Sequence, residues 1–140
     1  MCLIVYLASD TQLELIEEKE SGQALWIMKD ENSEILKLAT GDFVYYVVSY
    51  IGCGCGFYYE DDWDDISKPQ ESVSALKAYL MEALRTPKVI DIIAFWSTTE
   101  QKEIDMDHIM ISEITGKTFD KAWNEEKIQK IRVHHDTIES

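Results

Sequence analysis

Basic residues are scarce in this sequence. It has 13 lysine and arginine residues against 27 aspartate and glutamate residues, a formal net charge of −14. Binding to nucleic acid depends on lysine and arginine side chains that displace counterions from phosphates, and anionic membrane surfaces attract the same charges. The composition therefore predicts that neither nucleic acid nor a membrane is a partner. A basic protein, a metal ion and a small ligand remain as candidates, although solubility alone would also explain the acidity.

Long apolar runs and cysteines are also scarce. The sequence has no run of about 18 apolar residues, the length typical of a membrane-spanning helix. Its first ten residues, MCLIVYLASD, lack the basic start of a signal peptide. Three cysteines are too few, and an uneven number, for a secreted disulfide scaffold. Together these absences predict a cytoplasmic protein.

Little in the chain marks a domain boundary. It has two prolines and six glycines in 140 residues, with no repeat, low-complexity segment or flexible linker. A chain of this length with 46% hydrophobic residues can bury one core. The sequence therefore predicts a single globular domain over residues 1–140.

Segments rich in apolar, aromatic and β-branched residues predict the strands. The segment 42–50, DFVYYVVSY, has such residues at nearly every position, which is typical of a central strand covered on both faces. A turn with the sequence DENS favours a hairpin between two of the others. The predicted strands are residues 2–9, 24–30, 33–40, 42–50, 88–96 and 107–114.

One segment predicts a helix. Between residues 68 and 85 the apolar side chains recur at helical spacing, and Ser67 with Gln70 fits a capping box. Residues 118–133 fit either a helix near Phe119 or a terminal strand. Six or seven strands with one clear helix, and no regular alternation of strands and helices, predict an α+β fold with a mainly antiparallel sheet.

Cysteine and glycine concentrate in one short segment, IGCGCGFYY, residues 51–59. If this segment is an extended strand, Cys53 and Cys55 point to one face and the glycines leave the other face bare. Two thiolates at that spacing can bind one soft metal ion, and Cys2 can add a third ligand if the first strand is a neighbour. We therefore predict a site for zinc or another soft metal ion at Cys2, Cys53 and Cys55.

Other interpretations of the cysteines stay open. They can be small apolar residues of the core, with glycines where another backbone packs closely, or they can supply a reactive thiol. The usual zinc knuckle has two residues between its cysteines, not one. Removal of Met1 would make Cys2 an N-terminal nucleophile, as in class II glutamine amidotransferases, but those enzymes carry glycine where this chain has Leu3.

An acidic segment, EDDWDD, follows the cysteines. Five carboxylates around one tryptophan predict a surface loop, and the segment lacks the alternating acidic pattern of a calcium-binding loop. An exposed tryptophan among acids can anchor a basic protein; alternatively, the tryptophan folds back onto the sheet and the loop is only solvated. The predicted partner-binding residues are Glu60, Asp61, Asp62, Trp63, Asp64 and Asp65.

Two segments, MCLIVYLASD and GCGCGFYYE, resemble a small uncharacterised family of bacterial proteins that has no established activity. Its members begin with Met-Cys and later carry a Gly-Cys-x-Cys-Gly-Phe segment. The resemblance covers about the first half of the chain and implies a bacterial, intracellular origin. It directs attention to Cys2, Cys53, Gly54, Cys55 and Phe57, and it implies no function.

No catalytic signature is present in the sequence: it has no nucleophile elbow, phosphate loop, zinc-protease helix or dinucleotide fingerprint. We therefore expect a non-enzymatic binding domain, with the site at Cys2, Cys53 and Cys55 as its thiol or metal centre. The alternative is an immunity or inhibitor-type protein that masks a basic protein through the Glu60–Asp65 loop. Four tryptophans and seven tyrosines would also suit a homodimer.

Overall fold

The computed structural model describes residues 3–20, 22–30, 37–39, 41–96, 103–125 and 127–135. This part of the chain forms a single six-stranded sheet with the strand order β2-β3-β1-β4-β6-β5. The strands are β1 (Leu3–Ser9), β2 (Leu25–Lys29), β3 (Phe43–Ser49), β4 (Ile90–Trp96), β5 (Ile104–Met110) and β6 (Ile128–His134).

The sheet is mainly antiparallel, as the sequence predicts. β1 pairs antiparallel with β3 and β4, β2 with β3, and β4 with β6, whereas the edge strand β5 runs parallel to β6. The central strands are covered on both faces, which explains why their sequences are apolar without alternation. The α+β class is therefore confirmed.

One helix covers one face of the sheet. This helix, α1 (Ser67–Ala83), buries Val73, Leu76 and Leu80. A second helix of five residues, α2 (Asp120–Asn124), packs near β4 and β6. The core between the sheet and the helices contains alternate residues of each central strand, among them Leu7 of β1 and Ile92 of β4.

The opposite face of the sheet carries a smaller cluster that includes Tyr6, Ala8, Val44 and Ile93. The ring of Tyr6 lies 6.2 Å from the ring of Phe95. Asp91 of β4, which is almost fully buried, forms an ion pair with Arg132 of β6 on this face. Polar and aromatic side chains therefore share the face that α1 does not cover.

Several predicted boundaries are wrong. The strand predicted at 107–114 occupies Ile104–Met110 and is followed by a 3-10 helix at Ile111–Glu113. Residues 118–133 contain both a helix and a strand, namely α2 and all of β6 except its last residue, His134. Of the strand predicted at 33–40, residues 33–36 and 40 lie outside the described residues, and residues 37–39 are not in a strand.

The two edges of the sheet differ. Ile16 forms an antiparallel bridge with Ile27, so a segment of irregular chain protects the outer edge of β2. β5 carries Asp105 and Asp107, and charged side chains of this kind discourage pairing with a strand of another molecule. In the described part of the chain, no helix is long and apolar enough to cross a membrane.

Candidate functional site: the cysteine segment and the acidic loop

The cysteine segment is not an extended strand. Residues Gly54–Phe57 form a 3-10 helix, and Cys53 is its N-cap residue. The backbone turns here because β3 has ended at Ser49, whose hydroxyl accepts a hydrogen bond of 3.1 Å from the amide of Gly56. The expectation that Cys53 and Cys55 point to one face of a strand is therefore wrong.

Both sulfur atoms accept hydrogen bonds from backbone amides. The amide of Cys55 donates to the Sγ atom of Cys53 at 3.4 Å, and the amide of Leu3 donates to the Sγ atom of Cys55 at 3.1 Å. The second contact also places Leu3, the first residue of β1, beside the cysteine segment. The prediction of Cys2 as a third ligand depends on the first strand being such a neighbour.

Two glycines let the segment lie against its neighbours. A Cβ atom added to Gly54 would lie 2.6 Å from the carbonyl oxygen of Leu3, and one added to Gly56 would lie 2.3 Å from the Oγ atom of Ser49. Both distances are far below van der Waals contact, so no larger residue fits without movement. The prediction of close backbone packing in this segment agrees with these distances.

The metal site remains a prediction. Cys53 and Cys55 are partly buried and free of disulfides, but Cys2 lies outside the described residues. Among the residues that are described, no three histidine, cysteine, aspartate or glutamate side chains are arranged to hold a metal ion. The described residues therefore supply two candidate thiol ligands and no third.

The acidic loop begins at a residue that is held in place. Glu60 forms an ion pair of 2.8 Å with Lys117 and accepts a hydrogen bond from the hydroxyl of Tyr58. The bond from Lys117, and then the bond from Tyr58, lower the pKa of the Glu60 carboxyl. Burial and the bond to Glu60 raise the pKa of Tyr58. Glu60 therefore stays ionised and fixes the start of the loop.

The end of the loop is fixed by helix α1. The Oδ1 atom of Asp65 accepts hydrogen bonds from the backbone amide of Ser67 at 3.0 Å and from its hydroxyl at 2.9 Å. These bonds lower the pKa of Asp65. The capping box predicted for Ser67 and Gln70 is wrong, because Ser67 is already the first residue of the helix and the amide of Gln70 donates to the carbonyl oxygen of Ile66.

The middle of the loop is exposed. The side chain of Trp63 is 46% exposed, and its ring meets the ring of Tyr58 at an interplanar angle of 69° with 6.1 Å between centroids. Asp61, Asp62 and Asp64 on either side of it are exposed as well. Tyr58 itself is buried, so the tryptophan stands on a fixed base.

A further carboxylate lies close to this loop. The Oδ1 atom of Asp120 is buried and has no hydrogen-bond partner. Burial, and then the negative charge of Glu60, raise the pKa of this carboxyl. In the folded state, the charged form of Asp120 is therefore destabilised more than that of the other acids in this region.

The sheet brings together His108 and His134, a contact that the sequence analysis does not predict. The Nδ1 atom of His108 in β5 and the Nε2 atom of His134 in β6 lie 2.8 Å apart. They are 26 positions apart in the sequence, and the spacing itself gives no signal. Only the parallel pairing of β5 with β6 makes them neighbours.

The chain matches no family model, no curated protein and no solved structure.

Proposed function

We propose that this chain is a non-enzymatic binding domain that holds a basic protein at the loop Glu60–Asp65, here named the acidic loop. The observation that carries the proposal is Trp63, a large aromatic side chain that is 46% exposed among three exposed aspartates. Aromatic residues of this kind contribute most of the binding energy at many protein interfaces.

The loop is preorganised at both ends. Glu60 is bound to Tyr58 and Lys117, and Asp65 is bound to Ser67 at the start of α1. The amide of Trp63 also donates to the carbonyl oxygen of Glu60 at 3.2 Å, which closes a turn. A surface loop that is already ordered loses less conformational entropy when it binds, so more of the contact energy appears as affinity.

The charge of the chain favours a basic partner. The formal net charge is −14, and Asp61, Asp62 and Asp64 place carboxylates around the tryptophan. An acidic surface accelerates the encounter with a basic protein, and salt screens this attraction. An inhibitor or immunity-type protein that masks a basic surface fits this combination of exposed tryptophan and exposed carboxylates.

The first test compares Trp63→Ala with Met81→Ala. Met81 is also exposed and apolar, but it lies near the far end of α1. Proteins retained from a lysate of the source organism are purified, and their affinities for the wild type and both variants are titrated. We expect a basic protein whose affinity falls about 30-fold with Trp63→Ala, the loss typical of a binding hot spot, and is unchanged with Met81→Ala.

The second test separates the acidic loop from general acidity. Two triple variants each remove three exposed carboxylates. The first changes the acidic loop and combines Asp61→Asn, Asp62→Asn and Asp64→Asn. The second changes a different exposed segment and combines Glu17→Gln, Glu18→Gln and Glu20→Gln. We expect only the first triple to slow association at low salt. Equal effects of the two triples would show that the loop is not the binding surface.

A second candidate function is a thiol centre for a soft metal ion at Cys2, Cys53 and Cys55. The observation that favours it is the 3.1 Å hydrogen bond from the amide of Leu3 to the Sγ atom of Cys55, since the same nitrogen joins Leu3 to Cys2 in the chain. Cysteine thiolates are the ligands that zinc and copper(I) prefer. A site of this kind would stabilise the fold, because metal binding to a folded site adds to folding free energy.

The thiol centre is tested by mass. Native and denatured masses are compared for protein purified without chelators, for the wild type and for Cys55→Ser and Ser74→Ala, the latter being an exposed control on α1. We expect a stoichiometric excess in the native mass that Cys55→Ser abolishes and the control retains. A native mass equal to that of the bare wild-type chain would contradict a tightly bound metal and leave the cysteines as packing residues.

A further inference from the structure

A cleft of about 440 Å³ lies between helix α1 and the segment that follows the 3-10 helix Ile111–Glu113. It adjoins both ends of the acidic loop. Tyr59, the residue before Glu60, lines the cleft, and so does Ser67, whose amide donates to Asp65. The volume lies within the range of about 300–1,000 Å³ that is typical of small-ligand sites. The proposed binding surface therefore continues from the loop into a concave site.

The cleft has an apolar floor and an aromatic wall. Val73 of α1 and Ile114, both almost fully buried, form the floor. The ring of Tyr59 lies against Gly116, because a Cβ atom added to Gly116 would be 2.4 Å from the ring. The amide of Tyr59 also donates to the carbonyl oxygen of Gly116 at 3.1 Å. These groups are held in place and can contact the methylene groups of a long side chain.

One carboxylate of the cleft has no partner. Glu71 is exposed on α1 and forms no hydrogen bond or ion pair within the part of the chain that the structure describes. Asp65 lies near the same end of α1, and its bonds to Ser67 lower the pKa of its carboxyl, so it is ionised at neutral pH. Two negative charges therefore make this end of the cleft attractive to a cation.

The cleft also contains a lysine, at its other end. Lys77 follows Glu71 by six residues, which is about 9 Å along the helix axis. Its Nζ atom lies 3.5 Å from the carbonyl oxygen of Ser112, and this contact holds the positive charge at that end. At physiological ionic strength, exposed charges more than about 8 Å apart are largely screened. Lys77 therefore leaves the attraction at Glu71 in place.

We propose that this cleft binds an arginine side chain of the basic partner, with the guanidinium group at Glu71. The proposal rests on the function proposed above, since the arginine belongs to the protein that Trp63 contacts. A planar guanidinium can donate two hydrogen bonds to one carboxylate and can stack on an aromatic ring such as that of Tyr59. Lysine carries the same charge without this geometry. Arginine is also enriched, with tryptophan, at the hot spots of protein interfaces.

The test uses peptides and needs no partner protein. Acetylated, amidated tripeptides with arginine, lysine or citrulline between two glycines are titrated into the isotope-labelled chain and followed by NMR. Citrulline has nearly the shape of arginine but no charge. We expect a dissociation constant of about 1 mM for the arginine peptide. We expect binding about twofold weaker for the lysine peptide and about fivefold weaker for the citrulline peptide. The amide resonances that shift should be those of residues 70–77 and 114–116.

Two variants locate the charge that matters. Glu71→Gln is compared with Glu17→Gln, which removes an equally exposed type of carboxylate outside the cleft. We expect Glu71→Gln to weaken binding of the arginine peptide about fivefold and Glu17→Gln to leave it almost unchanged. Equal affinities of the arginine and citrulline peptides, equal effects of the two variants, or shifts confined to residues 61–64 would overturn the proposal.

The arginine site and the acidic loop can fail separately. If Trp63→Ala weakens the complex with the basic protein while the arginine and citrulline peptides bind equally, the acidic loop stands and the arginine site is refuted. If the arginine peptide binds at Glu71 while Trp63→Ala leaves the complex unchanged, the arginine site stands and the acidic loop is not the binding surface.

Discussion

Replacement of Gly54 by alanine tests how the cysteine segment is built. The added Cβ atom would lie 2.6 Å from the carbonyl oxygen of Leu3 and 2.8 Å from the Cγ2 atom of Val5. Both neighbours belong to β1, which is paired on both sides within the sheet. The strand cannot retreat without disturbing its ladders to β3 and β4, so the short helix must move instead.

The size of the effect follows from these contacts. Overpacking a buried site costs about 1–3 kcal/mol, and the cost is near the upper end when backbone atoms are the obstacle. We therefore expect Gly54→Ala to reduce the free energy of unfolding by about 2–3 kcal/mol. For a chain of this length such a change lowers the melting temperature by roughly 6–15 °C.

The assay is urea denaturation followed by circular dichroism, with Gly52 as the control. A Cβ atom at Gly52 meets nothing within 4 Å, but its φ of +89° is unfavourable for residues with a side chain. We expect Gly52→Ala to cost about 1 kcal/mol and Gly52→Asn clearly less, because asparagine tolerates positive φ better. If Gly54→Ala costs no more than Gly52→Ala, the close packing of the segment against β1 is refuted.

Three further variants test individual buried groups. Tyr45→Phe removes the hydroxyl that accepts a 2.8 Å hydrogen bond from the amide of Leu13, and should lower the free energy of unfolding by about 1–3 kcal/mol in urea denaturation; no loss would mean that this amide finds another partner. Asp91→Ala leaves Arg132 without its buried partner and should cost about 2–4 kcal/mol by the same assay, whereas the double variant Asp91→Leu, Arg132→Met should recover most of this loss. The pKa of Asp120 is higher in the folded state, so its charged form opposes folding at any pH above its pKa in the unfolded chain. Asp120→Asn should therefore raise the melting temperature at about pH 7 but not at about pH 3. An equal rise at both pH values would contradict this charge effect.

The regular elements could be predicted because their signals are local. The apolar runs that became β1, β3 and β4 needed no knowledge of their partners, since a strand covered on both faces is apolar along its whole length. Helix α1 shows Val73, Leu76 and Leu80 at helical spacing, and the structure buries all three. The mainly antiparallel arrangement then followed from the lack of alternating helices and strands.

The cysteine segment could not be predicted because its conformation depends on contacts distant in sequence. The 3-10 helix is held by Ser49, which accepts from the amide of Gly56, and by the amide of Leu3, which donates to Cys55 across 52 positions of sequence. An alternating pattern of glycine and cysteine is compatible with a strand as well as with a turn. Only the position of β1 decides between them.

The contact between His108 and His134 could not be predicted, for a related reason. Within one strand, the alternation of side chains places His108 and Asp107 on opposite faces, and it gives no information about a second strand. The neighbour of His108 is fixed by the parallel register that sets His108 opposite Arg132. A shift of one residue would turn His134 to the other face and remove this hydrogen bond, so the contact depends on register more than on composition.

The concentration of glycine around the cysteines now has a physical cause. Positions 54 and 56 require glycine because β1 and Ser49 occupy the space that a side chain would need. Phe57, which is fully buried, anchors the segment in the core. Tyr58 follows directly and supports both Glu60 and Trp63. The packing of the cysteine segment therefore also supports the start of the acidic loop: it places Cys55 against β1, and it places Tyr58 against Glu60 and Trp63.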